Sequence, residues 1–170
     1  DIEFIPLNIA VMVVSDSRNE SDDKSGTLLG KYLTESGHKL VEKKIVIDDI
    51  YEIRAEASNW IADPEIHAVI TTGGTGLTGR DVTPEAMKPL YEKEIEGFGE
   101  VFRMISYQII KTSTIQSRAI AGLANGTVLF TLPGSPGACK DAWEQIIKYQ
   151  LDFRQQPCNL VQMMPRFKEK

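Results

Sequence analysis

The sequence lacks several features that would assign it to a well-defined class of protein. It has two cysteines, Cys139 and Cys158, and they form no Cys-x-x-Cys pair, which argues against a zinc site or a disulfide framework. It has no block of Lys or Arg and a net charge of −5, so nothing indicates binding to nucleic acid or to an anionic membrane. No apolar run approaches the roughly 18 residues that span a bilayer. We therefore expect reduced thiols, a cytoplasmic location, and no nucleic-acid or membrane partner.

The composition is that of an ordinary globular protein. Hydrophobic residues make up 42% and charged residues 25% of the 170 positions, which is enough to form one ample core. Neither an internal repeat nor a low-complexity segment divides the chain. We therefore treat residues 1–170 as a single domain, and the modest negative charge still allows a small anionic ligand in a local basic pocket.

Strand-like and helix-like segments alternate along the first half of the chain. The run from Leu7 to Val14 is apolar on both alternating faces except at Asn8, which is typical of a central strand covered on both sides. Two further strands are predicted at Lys39–Ile47 and Ala68–Thr72, each preceded by a stretch with apolar residues at helical spacing. This alternation predicts an α/β fold with a mostly parallel central sheet.

The pattern changes in the second half. Helices are predicted from Pro84 to about Lys93 and over Glu100–Ile110. Asn125-Gly126, the strongest short hairpin signal, then separates two apolar runs, Arg118–Ala124 and Thr127–Leu132. We therefore expect one antiparallel hairpin beside the parallel strands.

One glycine-rich stretch, Thr71–Glu85, joins a predicted strand to a predicted helix. Gly73, Gly74, Thr75 and Gly76 form its loop, and Thr83-Pro84-Glu85 has the signature of a helix start with Thr83 as the N-cap. A loop of this kind exposes backbone N–H groups that favour phosphate. It is neither a P-loop nor a dinucleotide fingerprint. The alternative is a tight turn in which glycine supplies positive φ angles.

Two acids and one cation make this loop a candidate catalytic site. Arg80 suits a phosphoryl oxygen, whereas Asp81 and Asp48, which follows an earlier strand, suit a hard cation such as Mg²⁺. Together they could orient a nucleotide for phosphoryl or nucleotidyl transfer. The alternative is that each Asp merely caps the following helix.

Four loops are expected to meet at one edge of the sheet. In an open α/β sheet, ligands bind beyond the carboxyl ends of the strands. Ser15-Asp16, Asp48-Asp49, the Gly73 loop and the Gly134-Ser135 turn all lie at such ends. One shared cleft, with Ser15 among its ligand contacts, is therefore a better hypothesis than four unrelated turns.

The remaining chemically notable residues have ordinary explanations. Trp60 and Trp143 lie on apolar helical faces and are predicted to be core residues, and His38 is predicted to be a packing or surface residue. Cys139 could be a nucleophile, although a buried thiol is the better interpretation. Asp22-Asp23 is interpreted as a pair of solvated loop charges.

Five motifs occur in this order along the chain: Thr71–Gly76, Arg80–Ala86, Gly97–Glu100, Gln116–Gly122 and Leu132–Ser135. Together they closely resemble the MoaB/Mog family of molybdenum cofactor biosynthesis proteins, and the resemblance covers nearly the whole chain. Three further segments look most like bacterial MoaB: Phe98–Met104, the predicted helix Cys139–Ile147, and Pro157-Cys158-Asn159.

The resemblance implies a three-layer α/β molybdopterin-binding fold, assembled as a homo-trimer or a hexamer. Active relatives use Mg²⁺ and ATP to adenylylate molybdopterin and release pyrophosphate. By motif, the catalytic and metal-binding acids are Asp48 and Asp81, the nucleotide loop is Gly73–Gly76, and the pterin contacts are Ser117 and Gly134-Ser135. The expected partners are therefore molybdopterin, ATP and further copies of the chain.

The sequence departs from the family pattern at one position. Ile47 stands where the usual Pro precedes the first acid, although Asp48 itself is retained, and Asp81 lies in the acidic motif of the active enzymes. Two hypotheses follow: an adenylyltransferase, or a MoaB-type protein that binds pterin or nucleotide without chemistry. A sugar-phosphate enzyme is a third, but it leaves the Ser117 motif unexplained.

Overall fold

The structure is a computed structural model that describes residues 1–170. Six strands make up its sheet: β1 (Asn8–Val14), β2 (Lys39–Val46), β3 (Ala68–Thr72), β4 (Lys93–Glu94), β5 (Ile120–Ala124) and β6 (Thr127–Leu132). The helices are α1 (Lys24–Glu35), α2 (Ile50–Ala62), α3 (Thr83–Met87), α4 (Glu96–Ile110), α5 (Pro136–Ala142), α6 (Lys148–Gln150) and α7 (Leu160–Met163). A π-helical segment, Trp143–Ile147, joins α5 to α6 without a break.

The sheet has the order β2-β1-β3-β6-β5-β4. The first four strands in this order are parallel neighbours, whereas β5 pairs antiparallel with both β6 and β4. The predicted α/β class, the mostly parallel sheet and the antiparallel hairpin are therefore confirmed. The strand order also places the carboxyl ends of β1, β3 and β6 side by side, where a ligand site is expected.

Helices cover both faces of the sheet, which gives the three layers expected from the resemblance. On one face, α1, α4 and α5 pack around a core that contains Trp143, and on the other α2 and α3 pack around Trp60. Both tryptophans are buried, as predicted, and Cys139 is a buried core thiol. No helix has the length and apolar character of a membrane span.

The predicted helix from Pro84 to Lys93 is wrong in its second half. The α-helix ends at Met87, continues as the 3₁₀ turn Lys88–Leu90, and gives way to β4 at Lys93. The physical reason is Pro89, whose ring removes the N–H that would continue the helix and clashes with the preceding turn.

Helix α4 begins earlier than its glycines suggest. It starts at Glu96 rather than Glu100 and includes Gly97 and Gly99. A Cβ atom at Gly99 would lie 2.7 Å from the carbonyl oxygen of Ala119, so the glycine allows the helix to approach the chain before β5. A close tertiary contact therefore outweighs the low helix propensity of glycine.

The C-terminal tail packs on the core rather than extending freely over the surface. Asn159 caps α7 through a side-chain bond to the N–H of Gln162, and Val161 is buried against the α1–α4–α5 layer. Helix α7 is therefore held against the core.

His38 is a packing residue, as predicted, and it is almost fully buried. Its Nδ1 atom accepts a hydrogen bond from the N–H of Leu7 at 3.0 Å, and its ring meets Trp143 edge-on with centroids 6.4 Å apart. Burial lowers the pKa of His38 to about 4; Asp152 opposes this shift and His67 adds to it. The imidazole is therefore neutral in the native protein at neutral pH.

This burial predicts a loss of stability in acid. Between pH 6.5 and pH 4 the unfolded chain binds a proton at His38 and the native protein does not, so the free energy of unfolding falls by about 1.4 kcal/mol per pH unit from this group. In His38→Gln this contribution is absent, although the variant has a lower stability at pH 7.5. Urea unfolding at pH 7.5, 5.5 and 4.5 measures how the free energy of unfolding of the wild type and of His38→Gln changes with pH. An equal change in both proteins would contradict the low pKa of His38.

Candidate functional site

The carboxyl ends of the parallel strands open into a single polar cleft of about 890 Å³. Every residue predicted for the ligand site lines it except Arg80, so the expectation of one shared cleft is confirmed. Among its lining residues are Ser15, Asp48, the Gly73–Gly76 loop, Asp81, Ser117 and Gly134-Ser135.

The glycine loop follows β3 and lies against the ends of β1 and β6. Gly73 has a φ of 104° and donates its N–H to the carbonyl of Leu132 at 2.9 Å. A Cβ atom at Gly73 would lie 2.3 Å from the carbonyl oxygen of Val14, so no other residue fits without moving the backbone. Gly74, with a φ of 71°, adopts the same left-handed region. The glycines therefore serve the tight turn, and the turn itself borders the cleft.

Thr83 does not cap α3, contrary to the prediction. The N-cap position is Val82, which makes no side-chain cap bond. The buried Thr83 hydroxyl instead donates to the carbonyl of Gly73 at 2.8 Å. It therefore ties the start of α3 to the glycine loop, a contact between residues ten apart that a local capping rule does not anticipate.

The Asp48 carboxylate forms no ion pair and accepts no hydrogen bond from another side chain; a backbone hydrogen bond from Asp16 and the charge of Arg80 favour its ionised form. The cap of α2 is its neighbour Asp49, which accepts from the N–H groups of Tyr51 and Glu52. Desolvation, followed by the charges of Asp16 and Asp81, raises the pKa of Asp48. The alternative interpretation of Asp48 as a helix cap is therefore wrong, and a bound cation would relieve the repulsion around it.

Asp81 caps a turn rather than a helix. Its Oδ2 atom accepts from the N–H of Thr78 at 3.0 Å and from the Thr78 hydroxyl at 2.7 Å. The same oxygen lies beside Gly76, where a Cβ atom would come within 2.7 Å of it. Its other carboxylate oxygen makes no hydrogen bond within the protein and is available to a ligand.

Arg80 lies at the mouth of the cleft, paired with Asp16. Its Nε and Nη2 atoms donate to the two Asp16 carboxylate oxygens, each at 2.9 Å. Asp16 also accepts the N–H of Asp48 at 3.0 Å, and the Arg80 guanidinium holds the pKa of Asp16 below its usual value. The expected contact of Arg80 with phosphate stays a prediction, because the Nε and Nη2 donors are both directed to Asp16.

Arg118 is a structural partner of the site that the sequence argument did not single out. It donates to the carbonyls of Gly76 and Asp81, each at 3.0 Å, and forms an ion pair with Glu85. These contacts hold the glycine loop in place. The position of Arg118 directly after Ser117, within the Gln116–Gly122 motif, is the feature of the sequence that points to it.

The other side of the cleft carries hydroxyl groups. The Ser117 Oγ atom is buried and has no hydrogen-bond partner within the protein. Ser135 caps α5 by accepting the N–H of Ala138 at 3.1 Å, and Ser25 donates to the carbonyl of Gly134 at 2.7 Å. The Ser15 hydroxyl accepts two N–H groups of its own loop. Among these hydroxyls, Ser117 is thus the one that has no hydrogen-bond partner within the protein.

Asp48 and Asp81 are the side chains that could hold a metal. No group of three or more His, Cys, Asp or Glu side chains converges into a complete ligand set. Mg²⁺ is commonly held by one or two carboxylates, with water and substrate phosphate completing an octahedron. The two acids fit that arrangement, provided that a phosphorylated ligand supplies the remaining oxygens.

Asp23 is not a solvated loop charge, contrary to the prediction. It is buried at the cleft wall, caps α1 by accepting the N–H of Gly26 at 2.9 Å, and pairs with the ammonium of Lys43 at 2.5 Å. Lys43 comes from β2, so the partner lies far along the chain. The pair holds the start of α1, and with it Ser25, against the cleft.

The fold and the cleft define an α/β protein with a polar ligand site at the carboxyl edge of its parallel strands. Residues 10–152 match the family described as "probable molybdopterin binding domain". The chain belongs to this molybdopterin-binding family of molybdenum cofactor biosynthesis proteins.

Similar proteins include several that are named for molybdenum or tungsten cofactor biosynthesis. Molybdenum cofactor biosynthesis protein B of Escherichia coli strain K12 is 55% identical over 157 residues, which cover 92% of each chain. A crystal structure of a molybdenum cofactor biosynthesis protein B has a TM-score of 0.84 at 43% identity, covering 86% of this chain and 92% of the other. The tungsten cofactor synthesizing protein MoaB of Pyrococcus furiosus has a TM-score of 0.76 at 41% identity, covering 83% and 90%.

The Asp23–Lys43 pair predicts a specific stability pattern. Asp23→Ala removes the cap and leaves a largely buried ammonium unpaired, and should lower the free energy of unfolding by about 3 kcal/mol. Asp23→Ala combined with Lys43→Met should recover part of that loss, because no unpaired charge remains. Urea denaturation measures both, with the exposed Asp22→Ala as control. A double variant no more stable than the single one would contradict the pairing.

Proposed function

We propose that the chain binds molybdopterin and MgATP in the cleft and transfers AMP to the phosphate of molybdopterin. In this step a phosphate oxygen of molybdopterin attacks the α-phosphorus of ATP. The bond from that phosphorus to the bridging oxygen breaks, and pyrophosphate leaves with the electron pair. Such transfer needs positioning and charge neutralisation more than a covalent nucleophile.

The observation that carries the proposal is the placement of Asp48 and Asp81 on either side of the glycine loop. A Cβ atom at Gly74 would lie 3.2 Å from Oδ1 of Asp48, and one at Gly76 would lie 2.7 Å from Oδ2 of Asp81. Neither carboxylate forms an ion pair. Two carboxylates without ion pairs beside a glycine loop suit a metal-bound polyphosphate, which needs ligands for its cation and N–H donors for its oxygens.

The remaining lining groups suit the pterin substrate. Ser117 offers an unpartnered hydroxyl, and the Gly134-Ser135 turn borders the same cleft as the glycine loop. The Gly134 position is close to Gly73: a Cβ atom there would lie 3.3 Å from the Gly73 Cα atom. Two substrates in this cleft would therefore lie next to each other, as transfer between them requires.

A second candidate function is binding of pterin or nucleotide without chemistry. The observation that favours it is the Asp16–Arg80 ion pair. Arg80 is the cation expected to contact the phosphates, and this pair holds it outside the lining of the cleft. If that pair persists with ligand bound, the attacking and leaving phosphates lack this positive charge. Family membership disfavours the third hypothesis, a sugar-phosphate enzyme.

A homo-trimer or hexamer is part of the proposal. The helix α4 and the turn after it expose apolar side chains, including Met104 at 62% and Ile115 at 76% of their full area. Apolar surface of this kind marks an association site. ATP and Mg²⁺ are likewise proposed as ligands, on the ground of the cleft. The cytoplasmic location is proposed on the ground of the reduced thiols.

The acids provide the test of activity. Purified protein incubated with molybdopterin and MgATP should form adenylylated molybdopterin and pyrophosphate. Asp81→Asn and Asp48→Asn should each lower kcat/KM by about 100-fold or more, because each removes charge that holds Mg²⁺. The matched control is Asp49→Asn, which keeps an N-cap residue and should retain most activity.

The outcomes separate the two candidate functions. Product formation that survives Asp81→Asn would contradict the catalytic role of the acids. The second candidate function would be favoured if the wild type bound molybdopterin tightly without turnover. In that case the affinity for molybdopterin should be unchanged in Asp48→Asn.

A further inference from the structure

The two turns that border the cleft lie side by side. The glycine loop follows β3 and the Gly134-Ser135 turn follows β6, and the last residues of these parallel strands, Thr72 and Leu132, are paired in register. The N–H of Gly73 donates to the carbonyl of Leu132 at 2.9 Å, and no other backbone hydrogen bond joins the two turns. The distance between them therefore depends on side chains.

One side chain of β3 reaches the turn that follows β6. The Thr72 hydroxyl donates to the carbonyl of Pro133 at 2.8 Å, and Thr72 is only 1% exposed. Successive side chains of a strand point to opposite faces of the sheet, so Thr72 points to the layer that contains Cys139, whereas Thr71 points to the other layer. Thr72 thus connects the strand that leads into the glycine loop to the turn beside it.

The Cys139 thiol lies in the same small polar cluster beneath the turn. Its Sγ atom is 3.2 Å from the Thr72 hydroxyl oxygen and 3.7 Å from the Pro133 carbonyl oxygen. Burial raises the pKa of Cys139 to about 11; hydrogen bonds with Thr72 and Ser25 oppose this shift and the charge of Asp23 adds to it. The thiol is therefore protonated at neutral pH and is a weak donor, so the Thr72 hydroxyl is the stronger partner of the Pro133 carbonyl.

A second hydroxyl holds the turn from another element. Ser25 of α1 donates to the carbonyl of Gly134 at 2.7 Å. This bond fixes the turn to the helical layer, whereas the Thr72 bond fixes it to the strand that continues into the glycine loop. The Thr72 bond is therefore the side-chain contact that relates one turn to the other.

We infer that Thr72 is a positioning residue that sets the separation between the glycine loop and the Gly134-Ser135 turn through its bond to Pro133. The inference rests on the proposed function, in which the nucleotide binds over the first turn and the pterin meets the second. A phosphate oxygen of molybdopterin must then reach the α-phosphorus of ATP across this separation, and transfer slows steeply when the reacting atoms are misaligned. Because Thr72 is buried and its hydroxyl proton is engaged, it acts through the turn and not by contact with the reacting atoms.

Removal of the hydroxyl tests this role. Thr72→Val should lower kcat for adenylylation about 10- to 100-fold, while Kd for molybdopterin alone and for MgATP alone should each change by less than about twofold. Thr72→Ser keeps the hydroxyl and should recover most of kcat. The matched control is Thr71→Val, because the buried Thr71 hydroxyl has no hydrogen-bond partner within the protein. Its kcat should equal that of the wild type.

Three results would overturn the role of Thr72 in an active enzyme. The first is a wild-type kcat in Thr72→Val. The second is a weaker binding of either substrate alone that accounts for the whole loss of activity. The third is a Thr72→Ser variant as impaired as Thr72→Val, which would assign the effect to packing and not to the hydroxyl. Circular dichroism verifies that the variants fold, and Thr72→Ala provides a second variant that lacks the hydroxyl.

Crystal structures separate this inference from the proposed function. In Thr72→Val, residues 133–135 should be displaced relative to residues 73–76, and in Thr72→Ser they should keep their wild-type position. Unchanged turns in Thr72→Val would overturn the inference whether or not the protein is active. A wild type that forms no adenylylated molybdopterin would instead refute the proposed function, and the part that Thr72 has in transfer with it, while the two structures still decide whether Thr72 sets the separation.

Discussion

The close approach of Gly73 to the end of β1 is the constraint on which the site depends. A side chain at this position would collide with the carbonyl oxygen of Val14. With glycine there, the N–H of Gly73 can reach the carbonyl of Leu132 while the Thr83 hydroxyl binds its carbonyl. Three parallel strands and the start of α3 are thereby locked around one turn. The cleft is the space that remains above it.

The electrostatics of the cleft follow from which charges this framework pairs and which it leaves free. Arg80 is held by Asp16, and Arg118 binds backbone carbonyls of the glycine loop and of Asp81, so neither forms an ion pair with Asp48 or Asp81. Burial and neighbouring carboxylates then make the Asp48 charge costly, as its raised pKa shows. A protein selected for stability alone would pair such a group. The unpaired acids are therefore best explained by a cation that arrives with a ligand.

The sequence predicted most of the architecture because its strands and loops have strong local signals. The apolar runs of β1, β3 and β6 and the Asn125-Gly126 turn identify the sheet, and Gly73–Gly76 identifies the ligand edge. Contacts between distant residues were not predictable in this way. The pairing of Asp23 with Lys43 joins a loop to a later strand, and the Arg80 side chain turns to Asp16 rather than inward. Local capping rules likewise could not show that Thr83 bonds to the glycine loop.

The central claim is that Asp48 and Asp81 hold the metal of a nucleotide bound over the glycine loop. A crystal structure of the protein with Mg²⁺ and a non-hydrolysable ATP analogue tests it most directly. The account predicts a metal ion within about 2.1 Å of a carboxylate oxygen from one or both acids, with phosphate oxygens completing its coordination and loop N–H groups meeting the phosphates. A nucleotide bound elsewhere on the surface, or in the cleft with its metal away from both acids, would contradict the account.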